Sequence, residues 1–282
     1  MSEIDRSAVL RFYGLSCLGA VVCGIAAGVL APLGLGMPAA LAMMWTPGLA
    51  AIIVRRQQGL PLASSLGLRV GRWKWSIAAA LGASALIGLM LPVGAVFPGV
   101  QWDPTPAGLL ARLGLSGELA DLARAQLEGL PLHPAALALL AAPLAGLTIN
   151  AVFALGEELG WRGFLHDELA PLGFWRANLL TGAMWGLWHA PLIVQGHNWP
   201  DHPFVGVVVM VVACTVLAPI LGFFRERSDS VWAATFFHGT LNAAAAAPVL
   251  VLDGSSLLAH PLGAVGIVAM VLVNGVIALI RL

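Results

Sequence analysis

Charge is the scarcest ingredient of this chain. Its 282 residues include 14 Lys+Arg and 14 Asp+Glu, so only 10% are charged, while 59% are hydrophobic and the mean hydropathy is +0.90. Soluble domains carry about 25% charged residues, so a water-solvated globule is excluded and a polytopic membrane protein is expected. The balance of 14 against 14 leaves no basic excess to hold a phosphate backbone, which excludes nucleic acid as a partner. Cysteine is nearly absent too. Cys17, Cys23 and Cys214 stand apart in apolar runs, with neither disulfide-framework nor thiolate-metal spacing, and read as small buried hydrophobes. No internal repeat with a period of roughly 20–50 residues appears. The first apolar run is long and its start carries Glu3 and Asp5, so it reads as a retained membrane helix rather than a signal peptide.

What is there is apolar sequence in long blocks. Windows long enough to span fall at 12–33, 36–54, 75–97, 134–165, 177–194, 204–224, 231–251 and 261–280. The expected fold is therefore all-α, a polytopic membrane bundle of about eight transmembrane helices in one integral membrane domain, 1–282. With the N-terminus inside, twelve of the 14 Lys/Arg fall at cytoplasmic ends and loops, and only Arg112 and Arg124 fall outside. That bias fits an even number of spans with both termini cytoplasmic. The Ala/Gly/Leu-rich composition points to a bacterial cytoplasmic membrane. Residues 1–100 hold spans without a motif, and 134–251 hold the spans that carry chemistry. Between them, 98–133 opens with Pro104 and Pro106 and repeats Leu119, Leu122 and Leu127 among charges, as an external interfacial helix would. The external loop with His197, Asp201 and His202 reads as merely polar.

One block ends in charge. Glu157, Glu158 and Arg162 follow directly on the apolar run from Leu137 to Leu155, where ionisable groups are costly and mark function by default. On a helix Glu158 and Arg162 are four apart and pair, whereas Glu157 points about 100° away and has no partner on its own helix. The two glutamates are expected to do different jobs.

Three more polar groups fall inside apolar windows: His189, and His238 with Asn242 four residues on, sharing a helix face. If the fourth helix runs to about Asp167 and stops at Pro171 and Gly173, Glu157 lies roughly 15 Å from its cytoplasmic end. His189 lies about 20 Å in, His238 about 10 Å and Asn242 about 16 Å. A carboxylate, two imidazoles and an amide at similar depth need a wet cavity, expected to open to the cytoplasm.

Glu-Glu-x-x-x-Arg, then aromatic-x-x-x-His, then His-x-x-x-Asn, each on its own apolar segment, resembles the CAAX protease and bacteriocin-processing (CPBP, or Abi) family of intramembrane endopeptidases, which includes the type II CAAX prenyl proteases. The resemblance covers about 150–245 and leaves the first three spans unmatched. The family usually has Phe four residues before the middle histidine. This chain has Trp185, a change expected to alter packing more than chemistry.

The residues and the resemblance agree on a mechanism. Glu157 is a general base for water, His189 shares the water or carries the proton to the leaving amine, and His238 and Asn242 donate to the oxyanion. Arg162 orients Glu158 and keeps it ionised. The alternative is a zinc site of Glu157, His189 and His238 with an open fourth position. Against it, the chain lacks a His-x-x-x-His pair on one helix, and Asn242 is a poor ligand, so no cofactor is favoured. A membrane transporter, or a non-catalytic immunity or scaffold protein, are the readings from other classes. The expected partners are the lipid bilayer and a peptide or membrane-protein substrate. The resemblance allows a prenylated C-terminal CaaX peptide, and a bacterial setting equally allows a leader-peptide precursor.

Overall fold

The computed structural model describes residues 4–282. Asp5 opens the first helix, α1 (Arg6–Leu30), by accepting the Ala8 N–H at 2.9 Å. A tight turn at Gly34 leads to α2 (Gly36–Met43) and then α3 (Thr46–Gln57), which begins on Pro47 as a helix start prefers. The next long helix is α4 (Trp73–Ala95). The outer segment forms β1 (Gln101–Trp102), α5 (Pro106–Arg112) and α6 (Gly117–Glu128). Helix α6 has no buried residue and leaves Leu119 and Leu122 exposed, as an amphipathic helix at an interface would. Helices α7 (Pro134–Leu147) and α8 (Ile149–Glu158) follow, then α9 (Phe174–Trp188), α10 (Pro203–Ser228), α11 (Val231–Ala244), β2 (Leu252–Asp253) and α12 (Ala264–Ile280).

Five segments are long and apolar enough to cross a membrane: Arg6–Leu33, Gly36–Gln57, Trp73–Ala95, Pro203–Ser228 and Ser256–Ile280. Helix α7 with Ile149–Leu172, bent by 63° at their junction, makes a sixth if the pair is one span. Eight is not reached on this measure. The windows expected at 177–194 and 231–251 fall on α9, of 15 residues, and α11, of 14. Each is about 20 Å long at the helical rise per residue, against a hydrocarbon core of about 30 Å. Their ladders end at His189 and Ala245, and Pro191 and Pro248, which lack an N–H, follow just beyond. The apolar sequence continues only as single turns, Ala190–Ile193 and Ala246–Val249.

Helix α11 sits at the centre, packed on α4, α7 and α8, with α9 lying along α10. The crossing of α11 with α7 is close because both helices present glycine there. A Cβ on Gly239 would stand 2.8 Å from the Gly146 carbonyl oxygen. Asn150 Nδ2 donates to the Gly239 carbonyl at 3.0 Å and pins α8 to the same point.

The bundle has two unlike ends. At one, Arg69 pairs with Asp229 at 2.7 Å, Arg281 with Glu226 at 2.6 Å, and Arg55 with Glu168. At the other, β1 and β2 pair antiparallel with Gln101 opposite Asp253, and Arg112 donates to the Val249 and Leu250 carbonyls. Trp199 Nε1 donates there to the Ser256 carbonyl at 3.1 Å. Loops 98–133, 195–202 and 250–263 therefore share the end opposite the arginines.

Candidate active site

The site is built on the segment that follows the bend. Gly156 lets α8 approach the turn into α3, since a Cβ there would stand 2.7 Å from the Met44 carbonyl oxygen. After Glu158 the backbone widens into a π-helical stretch, Leu159–Leu165, and all seven of its residues are buried. Such wide turns concentrate at functional sites. The helix then tightens and stops at Gly173, whose φ is 77°, beyond Pro171.

Consecutive glutamates face opposite surroundings. Glu158 is fully buried and accepts Arg162 Nη1–H at 2.9 and 3.0 Å on its two oxygens. Its Oε1 also lies 2.8 Å from His238 Nδ1, and since a carboxylate only accepts, that nitrogen carries the proton. The Arg162 guanidinium lies 4.6 Å from the centroid of the Trp185 ring, and its backbone carbonyl accepts from Arg225 Nε at 2.9 Å. Glu157, also buried, turns away and lines a cavity.

Trp185 corrects one expectation. Its Nε1–H donates to Glu157 Oε2 at 2.6 Å, a bond that phenylalanine cannot make. The indole therefore adds a hydrogen bond to this carboxylate as well as packing. Its ring lies 5.4 Å from that of His238 and 5.8 Å from that of His189, so it joins the polar residues of α8, α9 and α11.

His189 caps α9, and its Nδ1 bonds the Trp185 carbonyl at 2.9 Å. A carbonyl only accepts, so Nδ1 holds the proton and Nε2 keeps its lone pair. Asn242 makes no side-chain hydrogen bond among the described residues, and its position on α11 is exposed. Glu157, His189, His238 and Asn242 all line one cavity of about 500 Å³. The helices thus bring the four proposed catalytic residues together, with Glu158 and Arg162 behind them. Five of the eight methionines of the chain line it: Met37, Met44, Met90, Met210 and Met270. Among the described residues, Glu157 is the sole acidic one in the lining, and no lysine or arginine reaches it.

Among the described residues, no three His, Cys, Asp or Glu side chains come together as a group able to hold a metal ion. Glu157 has one oxygen engaged by Trp185, and both histidines have Nδ1 engaged. Glu157 Oε1 and the Nε2 of both histidines make no hydrogen bond among the described residues.

The cavity extends from Glu157 toward His197, Asn198, His260 and Leu262. Those residues belong to the end opposite the arginines. His197 and Asn198 carried no signal in the sequence beyond loop polarity; only the fold puts them at the mouth.

Comparison with known proteins bears out the resemblance over this region. Residues 135–244 match the family model described as type II CAAX prenyl endopeptidase Rce1-like. A stretch of 44 residues is 43% identical to CAAX prenyl protease 2 of Methanococcus maripaludis, covering 15% of this chain and 16% of that protein. The chain is thus aligned to about a sixth of the length of this curated relative. The apolar helices and the family match together make the protein an integral membrane protein.

Proposed function

We propose that this protein is an intramembrane endopeptidase in which Glu157 activates water. Glu157 takes a proton from a water held between its free oxygen and His189 Nε2, and the hydroxide attacks the peptide carbonyl carbon. The oxyanion that forms is met by Asn242 Nδ2–H and by Nε2–H of His238 as the imidazolium, whose Nδ1–H is held by Glu158. The abstracted proton passes to the leaving nitrogen, by way of Glu157 or His189, and the C–N bond breaks. Glu158 and Arg162 fix His238 and do not touch the substrate.

The observation that carries this reading is convergence. Residues from three helices, at positions 157, 189, 238 and 242, line one cavity whose lining is otherwise mostly apolar. We favour the metal-free form; it is supported by the finding that, among the described residues, no three His, Cys, Asp or Glu side chains group closely enough to hold a metal ion. The substrate is a peptide or a membrane-protein segment, and the setting is a bacterial cytoplasmic membrane with both termini in the cytoplasm, as the Lys/Arg bias implies.

The test is cleavage of a peptide library by the purified full chain in lipid. Activity is expected to survive dialysis against a chelator, with metal well below one ion per chain. Glu157→Gln keeps shape and hydrogen-bonding capacity but removes the base, so it should abolish cleavage with expression and melting unchanged. Stoichiometric zinc that tracks activity would overturn the metal-free mechanism. Full activity in Glu157→Gln would overturn Glu157 as the base, and a parent chain that cleaves no peptide of the library would overturn the endopeptidase reading itself.

A further inference from the structure

We infer that Arg225 is a positioning residue for the active site: by holding the Arg162 backbone carbonyl, it sets the segment from which Glu158 grips His238. That segment runs from Glu158 into the π-helical stretch Leu159–Leu165, and it packs through glycines. A Cβ on Gly160 would stand 2.5 Å from the Pro47 ring, and one on Gly163 2.9 Å from the Leu66 carbonyl oxygen. Apolar contacts of this kind are non-directional. Direction comes from two buried arginines on other helices. Arg225 of α10 donates from Nε to the Arg162 carbonyl at 2.9 Å. Arg55 of α3 reaches the Phe164 carbonyl only at 3.5 Å, and its other nitrogens turn to Ser65, Gln58 and Glu168. The bond from Arg225 has the better geometry and is the firmer hold.

The guanidinium is used as a fork. While Nε holds the carbonyl, Nη2 lies 3.7 Å from Asp167 Oδ1, two contacts that a lysine amine cannot make together. Gly67 leaves room for it, since a Cβ there would stand 2.8 Å from Nη2. The carbonyl that Arg225 holds belongs to the residue whose side chain holds Glu158. The Arg162 guanidinium engages Glu158 through Nη1 alone, and its Nε and Nη2 have no hydrogen-bond partner. Its placement therefore rests on Glu158 at one end and on Arg225 at the backbone. A shift of that backbone passes to Glu158 and on to its 2.8 Å bond with His238 Nδ1. Arg225 itself does not line the cavity, so it acts only through these residues. The consequence for turnover rests on the endopeptidase reading above; the consequence for the Glu158–His238 bond does not.

Arg225→Lys in the full chain, reconstituted in lipid nanodiscs, tests this through two readouts. NMR of protein carrying isotope-labelled histidine gives the His238 Nδ1–H signal, identified by its loss in His238→Gln. In Arg225→Lys that signal should shift and exchange faster with water. Turnover should fall roughly tenfold to a hundredfold at unchanged KM, the cost of a small misplacement in a catalytic constellation. Arg281→Lys, in the surface pair with Glu226, is the control and should leave both readouts as in the parent chain. A parent-like signal in Arg225→Lys overturns the inference, as does a parent-like kcat in a chain that cleaves, or an equal change in Arg281→Lys. If Arg225→Lys does not fold, Asp167→Asn takes its place, because Asp167 is exposed and meets only the Nη2 side of the fork. It should move both readouts in the same direction by a smaller amount, and parent-like values overturn the inference. A parent chain that cleaves no peptide refutes the endopeptidase reading separately, and the His238 signal then decides the role of Arg225.

Discussion

The arginine-bearing end and the mouth end of this bundle treat polar groups in opposite ways. At the first, charges are buried and paired, with only Arg162 Nε and Nη2 and the neighbouring Trp161 Nε1 left without a hydrogen-bond partner: Glu158 holds both Arg162 and His238, and Arg225 reaches the Arg162 carbonyl. At the second, the polar groups have bonding capacity to spare. His189 and His238 leave Nε2 unengaged, and Asn242 has no side-chain partner among the described residues. The boundary runs between consecutive residues, Glu157 and Glu158. A buried charge persists where its partners are fixed, and unsatisfied polar groups persist where a ligand completes them. The packed side holds the geometry, and the hollow side uses it.

The sharpest way to break that comparison is Arg162→Ala. Removing one partner of a buried pair costs about 3–5 kcal/mol, because the remaining charge is left uncompensated. Melting temperature and activity should fall together, unlike Glu157→Gln, which should lose activity alone. Equal melting in the two variants, measured by circular dichroism or dye-based melting in detergent, would remove the division of labour between the glutamates.

Asn242→Ala works on the hollow side and should leave melting nearly unchanged, since the amide is exposed and makes no side-chain bond among the described residues. The loss falls on turnover, by about 10²–10³-fold for one oxyanion donor, with substrate affinity little altered. A rise in KM at constant kcat would make Asn242 a binding residue instead.

Much of this was legible in the sequence because it is local. Apolar windows set the helices, and the four-residue spacings set Glu158 beside Arg162 and His238 in line with Asn242 on the cavity wall. What was not legible depends on distance along the chain. The helix ends at His189 and Ala245, which shorten two expected spans, are the exception: Pro191 and Pro248 stand just beyond them, a local signal that apolar windows pass over. Depth measured from a helix end places a residue between two faces but does not say toward which face a cavity opens. The bond from Trp185 to Glu157 joins residues 28 apart, and a motif that requires only an aromatic ring does not distinguish an indole N–H from a phenyl edge.

That bond gives the smallest and most discriminating effect. Trp185→Phe keeps an aromatic ring beside Arg162, His189 and His238 but deletes the donor to Glu157. A hydrogen bond to a charged group contributes about 1.5–3 kcal/mol, so loss of the orientation it gives the base should lower turnover by roughly tenfold to a hundredfold. Trp185 is buried, so the smaller ring also lowers stability somewhat. Rates must therefore be taken per folded molecule, below the melting transition. Trp185→Leu provides the contrast: it loses the donor and the aromatic face over Arg162, and should fall further in both rate and melting. If Trp185→Phe turns over as fast as the parent chain, the indole serves only to fill space, and Glu157 is oriented by the cavity wall alone. If its turnover drops while KM holds, the tryptophan is a positioning residue for the base. In that case the hollow side, like the packed one, fixes its glutamate through a named partner, and the contrast between the two sides narrows to what each leaves free for the substrate.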